Sequence, residues 1–146
     1  MSPEGLRLIG RLGLEAIRET GWPVTAVGGL TLGADPVAYA ISYASAETSR
    51  PVRAFTVRKE AKGHGTGKLV EGPFEPGDVV AVVEDVITTG GSTLRAVEAI
   101  RAAEGRIAGV LAVVDREEGG RQALEDAGLS VVSLTKASEI LPLVPT

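Results

Sequence analysis

The eleven residues Val82-Val83-Glu84-Asp85-Val86-Ile87-Thr88-Thr89-Gly90-Gly91-Ser92 join an apolar run to two adjacent carboxylates and a turn rich in hydroxyls and glycine. Thr88, Thr89 and Ser92 offer hydroxyl donors, and Gly90 and Gly91 let backbone N–H groups approach a ligand closely. The free N–H groups at the start of a following helix favour a bound anion by roughly 0.3–1 kcal/mol. A phosphate monoester fits such a cup. Glu84 and Asp85 would repel each other if buried without partners. At a strand end they can instead accept hydrogen bonds from vicinal hydroxyls or help place a hydrated magnesium ion. Phosphate beside a diol reads as ribose 5-phosphate. A plain capped turn would account for Ser92, but for neither the acid pair nor the double threonine.

A second candidate is Arg58-Lys59-Glu60-Ala61-Lys62-Gly63-His64-Gly65-Thr66-Gly67-Lys68, four cations and the only histidine against one acid in a chain of net charge −4. Cations on a glycine-rich segment can close over a multiply charged leaving group and strengthen electrostatics by excluding water. For His64 alone, a solvated loop tip is the simpler reading. The segment is not a phosphate-binding P-loop, because Leu69 follows Lys68, and it lacks the glycine spacing of a dinucleotide fingerprint. Two weaker signals remain. Gly28-Gly29-Leu30-Thr31-Leu32-Gly33 can present backbone N–H groups to phosphate, and Arg116 can face a planar carboxylate.

These residues need a scaffold that gathers them at one edge. Ser2-Pro3-Glu4 starts a helix, and Leu6, Ile9, Leu12 and Ala16 repeat at helical spacing until Gly21-Trp22-Pro23, which predicts a helix at about 3–20. A short strand from Val24 to Val27 ends in the glycine loop. Asp35-Pro36 then reads as N-cap and first helical residue of a helix running to about Ala46. A strand at Val52–Val57 and a strand at Val79–Glu84 buried on both faces follow. The intervening 58–78 is longer than structureless loops usually are, which marks it as a lid with a small hairpin at Lys68-Leu69-Val70. Beyond it come a helix at about 92–104, a strand at 107–114, a helix at about 119–127 and a strand at 130–134, with Thr135 capping a last short helix. Alternation of this kind implies a mostly parallel sheet with ligands at the carboxyl ends of its strands, after Val27, Val57, Asp85 and Asp115.

At 146 residues the chain reads as a single domain, 1–146, with 58–78 as its mobile lid. Hydrophobic residues make up 44% and charged residues 23%, a globular balance. The net charge of −4 and a pI near 5.1 argue against a nucleic-acid-binding surface. No cysteine is present, which excludes disulfides, zinc–thiolate sites and thiol nucleophiles. Apolar runs are far shorter than the about 20 residues a membrane helix needs, and the first helix is charged, so a soluble, intracellular protein without membrane partners is expected.

The acid pair followed by Thr-Thr-Gly-Gly-Ser resembles the phosphoribosyl pyrophosphate (PRPP) motif of the type I phosphoribosyltransferases. Within that superfamily, Arg58 through Gly65 resembles the mobile loop of the orotate phosphoribosyltransferases, and Gly28 through Pro36 and Val114-Asp115-Arg116 fit the same family. The resemblance covers nearly the whole chain. It implies the α/β type I phosphoribosyltransferase fold: a mostly parallel, twisted sheet flanked by helices, with strands in the order 3-2-1-4-5-6 and a mobile lid hairpin giving the one antiparallel strand. It also implies a cytoplasmic homodimer in which the loop of one subunit completes the other's site.

By the resemblance, PRPP is held by Arg58, Lys59, Lys62, His64, Glu84, Asp85, Val86, Ile87, Thr88, Thr89, Gly90, Gly91 and Ser92. Glu84 and Asp85 take the ribose hydroxyls, and Thr88 through Ser92 cradle the 5-phosphate. Arg58 and Lys59 meet pyrophosphate within their own subunit, Lys62 and His64 across the dimer. Glu84, Asp85 and Lys62 are the catalytic residues, and Thr88 and Arg116 face orotate. The implied cofactor is Mg2+, carried mainly by PRPP and water rather than by a metal site of the protein. Family members have a further N-terminal hood that supplies a lysine and aromatic contacts to the base, and this chain starts without it. Leu32 stands where some members have a lysine touching pyrophosphate. The expected activity is transfer of phosphoribosyl from PRPP to orotate, giving orotidine 5-monophosphate and pyrophosphate in de novo pyrimidine (UMP) biosynthesis. The alternatives are a non-catalytic PRPP-sensing module and a phosphoribosyltransferase for another base.

Overall fold

In the computed structural model, residues 1–61, 63 and 67–146 are described. Ser2 Oγ accepts the Gly5 N–H at 3.0 Å, and Pro3 opens helix α1 (Pro3–Thr20), which Gly21 ends in a left-handed turn at φ 76°. Strand β1 (Ala26–Leu30) leads to α2 (Ala34–Ser45), β2 (Arg53–Val57) and the short β3 (Val70–Glu71). Then follow β4 (Val79–Ile87), α3 (Gly91–Ala102), β5 (Arg106–Asp115), α4 (Gly120–Asp126), β6 (Val131–Lys136) and α5 (Ala137–Ile140), with a final 3-10 turn at Leu141–Leu143.

The six strands form one sheet in the order β3-β2-β1-β4-β5-β6, as the resemblance implies. All neighbours pair in parallel except β2 with β3, which is the antiparallel edge. Strand β4 is central and buried on both faces. Ala81 and Val83 face a core with Leu14, Ile17, Val37 and Ile41 of α1 and α2, while Val80 and Val82 face Phe55, Val97 and Ile100 on the α3 side. A two-sided core explains why this strand carries no polar alternation. No helix among the described residues is long and apolar enough to cross a membrane.

Four local expectations change. The glycine pair is not a loop after Val27: Gly28 and Gly29 lie inside β1, opposite Phe55 and Thr56 of β2. Flanking strands on both sides satisfy the backbone, and the Phe55 ring occupies the place of a side chain, since a Cβ on Gly28 would lie 2.6 Å from it. Asp35 does not cap α2. The helix begins at Ala34, and the Asp35 carboxylate instead accepts hydrogen bonds from Thr31 Oγ1 (2.6 Å) and Thr56 Oγ1 (3.0 Å). Thr135 is not the last helix cap either, because β6 continues to Lys136, and Thr135 Oγ1 donates to Glu139 Oε2 at 2.9 Å. The lid hairpin is formed by β2 itself with Val70–Glu71, one or two residues beyond the expected position.

Candidate active site

Parallel pairing brings the ends of β1, β2, β4 and β5 to one edge, and the chemistry-bearing residues collect there. Glu84 and Asp85 sit near the end of β4. They point differently, as successive residues on a strand must: Glu84 is 6% exposed, whereas Asp85 is open to solvent. The Glu84 Oε2 accepts a hydrogen bond from Thr93 Oγ1 at 3.2 Å. The Asp85 carboxylate accepts the Val86 N–H at 2.8 Å and lies against Gly33, where a Cβ would stand 2.7 Å from Oδ1. A side chain at position 33 would push the carboxylate out of this place, so the glycine leaves room for the acid against the loop after β1.

Burial and then the negative charge of Asp85 push the Glu84 carboxyl up from 4.5 to about 7, with the Thr93 hydroxyl opposing the rise. The carboxylate is therefore poised to respond to donors or positive charge brought by a ligand. Perturbed acids of this kind, gathered at a strand edge, mark functional sites.

Thr88, half-buried, and the exposed Thr89 lead to Gly90, which precedes α3 with φ 89°. In that conformation glycine is strongly preferred. No side chain caps α3, so the turn presents its backbone N–H groups beside the Thr88, Thr89 and Ser92 hydroxyls. Val86 is half-exposed next to them. The Ile87 side chain is in the core, 1% exposed, and its carbonyl accepts the Arg116 N–H at 3.0 Å, so it is the main chain of Ile87 that lies at the site.

That bond places Arg116 beside the turn. Its guanidinium pairs with Glu118 at 3.0 Å, both side chains being solvent-accessible. The loop carrying it is fixed from below, because Asp115 accepts both the Glu117 N–H (2.9 Å) and Arg121 Nε (3.0 Å). On the other side, Arg58 N–H donates to the Leu69 carbonyl at 2.8 Å and its guanidinium pairs with Glu71 at 3.4 Å. Lys59 follows, exposed. Lys62 and His64, two further expected contacts, lie outside the described residues.

Thr93 is a site residue that the sequence reading did not single out, and Gly33, read there as a backbone donor, has a different place. Thr93 had a signal, a hydroxyl in the first turn of the helix after the acid pair. The contact of Gly33 with Asp85 had none, because it depends on the approach of a strand residue 52 positions further on.

No family model matches the chain. Among curated proteins, the orotate phosphoribosyltransferase of Aquifex aeolicus (strain VF5) is 52% identical over 139 residues, covering 95% of this chain and 75% of that protein. The orotate phosphoribosyltransferase of Rhodopirellula baltica is 45% identical over 139 residues, covering 92% of this chain and 72% of its own. Among solved structures, orotate phosphoribosyltransferase of Mycobacterium tuberculosis H37Rv in complex with PRPP superimposes with a TM-score of 0.81 at 44% identity, covering 92% of this chain and 74% of that one.

Proposed function

The chain belongs to the orotate phosphoribosyltransferase family, and from that membership we propose that it transfers the phosphoribosyl group of PRPP to orotate, releasing pyrophosphate, in pyrimidine biosynthesis. The observation that carries this reading is the acid pair, one member buried and one exposed, at the end of the central strand and directly before an uncapped helix start.

In the reaction the bond from ribose C1 to pyrophosphate breaks, a bond to a ring nitrogen of orotate forms, and the proton of that nitrogen leaves to pyrophosphate or water. Positive charge develops on the ribose and negative charge grows on the leaving group. Glu84 and Asp85 accept hydrogen bonds from the ribose hydroxyls and oppose the positive charge. Donation from those hydroxyls stabilises the charged form of Glu84, so binding converts a partly protonated acid into a carboxylate. The N–H groups and hydroxyls from Thr88 to Ser92 hold the 5-phosphate. Arg58 and Lys59, with Lys62 and His64 of the loop, attract pyrophosphate, and Arg116 exchanges Glu118 for the carboxylate of orotate. A surface ion pair is worth about 0–1 kcal/mol, so that exchange costs little.

In this reading Mg2+, carried mainly by PRPP and water, would supply positive charge to the leaving pyrophosphate. The solvent-facing Asp85 carboxylate is the group of this chain that could accept a hydrogen bond from the water of such an ion. Homodimerisation is part of the same reading, and the exposure of Leu32, Tyr39 and Tyr43 on a single protomer supports it. A cytoplasmic setting belongs to the same reading.

Loss of orotate absorbance on adding PRPP and magnesium tests the activity, with calorimetric titration of PRPP in parallel. Turnover of orotate is expected. Turnover of another base instead would reassign the acceptor, binding without turnover would leave a PRPP-binding module, and failure of both would overturn the reading.

A further inference from the structure

The first turn of α3 carries the phosphate-cup end of the site, and its next turn carries Arg95, which reaches away from the helix toward the start of the lid. Arg95 Nη2 donates to the Lys59 carbonyl at 2.9 Å, a contact spanning 36 residues of sequence. Exposed arginines ordinarily keep their rotamer freedom in water, and this one gives it up for a single main-chain oxygen. Residues 58–60 are also held from the opposite side. Arg58 N–H bonds the Leu69 carbonyl, Arg58 Nη1 pairs with Glu71, and Arg58 Nε donates to the Glu60 carbonyl at 3.3 Å. Between the two sides lies a cavity of about 280 Å³ lined by Arg58, Lys59 and Arg95 together with Leu30, Leu69 and Glu98. Three basic residues and one acid thus share this lining, with Arg58 paired outward to Glu71. A carbonyl partner anchors the Arg95 guanidinium without cancelling its charge, as a carboxylate would.

We propose that Arg95 is a positioning residue for the pyrophosphate end of the site: it ties the main chain at Lys59 to α3, holding Arg58 and Lys59 in register with the phosphate cup on the same helix. The inference rests on the assignment of Arg58 and Lys59 to pyrophosphate. It divides the lid into a fixed base, residues 58–60, and the remainder, and it makes α3 the common support for both ends of PRPP.

The test compares wild type, Arg95→Met and Arg95→Lys. Methionine keeps most of the apolar stem and removes donors and charge, while lysine keeps the charge and one donor. Two readouts are taken. In the absence of PRPP, trypsin cutting after Arg58 and Lys59 is followed by mass spectrometry. PRPP with magnesium is then titrated calorimetrically, alongside thermal unfolding. For Arg95→Met, cutting at these two bonds should speed up several-fold and PRPP affinity should fall about five- to ten-fold, the lower range for a charged hydrogen bond partly open to water. The melting temperature should stay unchanged, and Arg95→Lys should recover most of both losses. Equal PRPP affinity in wild type and Arg95→Met would overturn the inference, and so would unchanged cutting. If wild type itself fails to bind PRPP, the functional reading falls, and the trypsin result still decides whether Arg95 holds this segment.

Discussion

Glu84 and Asp115 are buried carboxylates near the carboxyl ends of neighbouring strands, 6% and 3% exposed, yet their surroundings drive them in opposite directions. Burial raises both. At Glu84 the adjacent Asp85 adds to the rise, and the single Thr93 hydroxyl does not offset it, so the carboxyl reaches about 7. At Asp115 burial is outweighed by the Glu117 N–H, by the hydrogen bond and charge of Arg121 and by the charge of Lys136, and the carboxyl lies below its usual 3.8. The contrast separates two uses of an acid. Asp115 has its charge met inside the fold and holds the Arg116 loop still, whereas Glu84 has its charge opposed and awaits a ligand that brings donors.

The strongest way to break this contrast is Asp115→Asn. The amide keeps the shape but withdraws the charge from Arg121 and places a donor near the Glu117 N–H or Arg121. A loss of about 2–4 kcal/mol is expected at pH 7, less than for a fully buried pair because Arg121 is partly solvated. Urea denaturation with an unchanged slope would read it. Because the folded carboxyl is depressed, this stability is present above about 3.8 and lost as pH falls through the folded value. The gap between wild type and variant should therefore close in acid, and a gap independent of pH would mean that charge is not its source.

Glu84→Gln should act with the opposite sign. The folded carboxyl titrates near 7 and the unfolded one near 4.5, so the native state binds the proton more tightly. The favourable contribution is complete below about 4.5 and lost as pH rises through 7. Glutamine cannot ionise, so the variant should be more stable than wild type at pH 8, by on the order of 2–3 kcal/mol, with no such gain at pH 4. PRPP affinity should fall in the same protein, a trade of function for stability expected at a site built for a ligand. A variant no more stable than wild type at pH 8 would show that Glu84 is not strained by its surroundings.

Thr93→Val sharpens the comparison with the smallest step. The methyl replaces a hydroxyl of nearly the same shape, and stability should change by less than about 1 kcal/mol at pH 5, where Glu84 is largely protonated. The midpoint of the Glu84 carboxyl, followed by carbon NMR, should move upward from its wild-type position, because the bond removed favours the charged form. Thr93→Ser should leave it in place. An unmoved midpoint in the valine variant would show that the hydroxyl does not reach the carboxylate in solution.

Much of this arrangement is legible residue by residue. Ser2-Pro3-Glu4 and Gly21 delimit α1 because capping is local chemistry, and Val79 through Ser92 reads as strand, acid pair and helix start because each part has its own signature. Misreadings occur where a residue's place is decided by a distant part of the chain. Asp35 looks like a helix cap until Thr56 of β2 is brought beside it. Gly28 looks like a loop residue until two strands flank it and Phe55 covers it.

The order of elements, the PRPP-like motif and the cation-rich segment after β2 are determined by the sequence alone, since each depends on neighbours along the chain. Tertiary structure decided how those pieces behave together. The raised pKa of Glu84 depends on burial beside α3, the aim of Arg116 on a buried acid braced by α4, and the seat of Lys59 on an arginine 36 residues away. Desolvation and charge act through space and fall off over a few ångströms, so they become definite only when folding has set the distances.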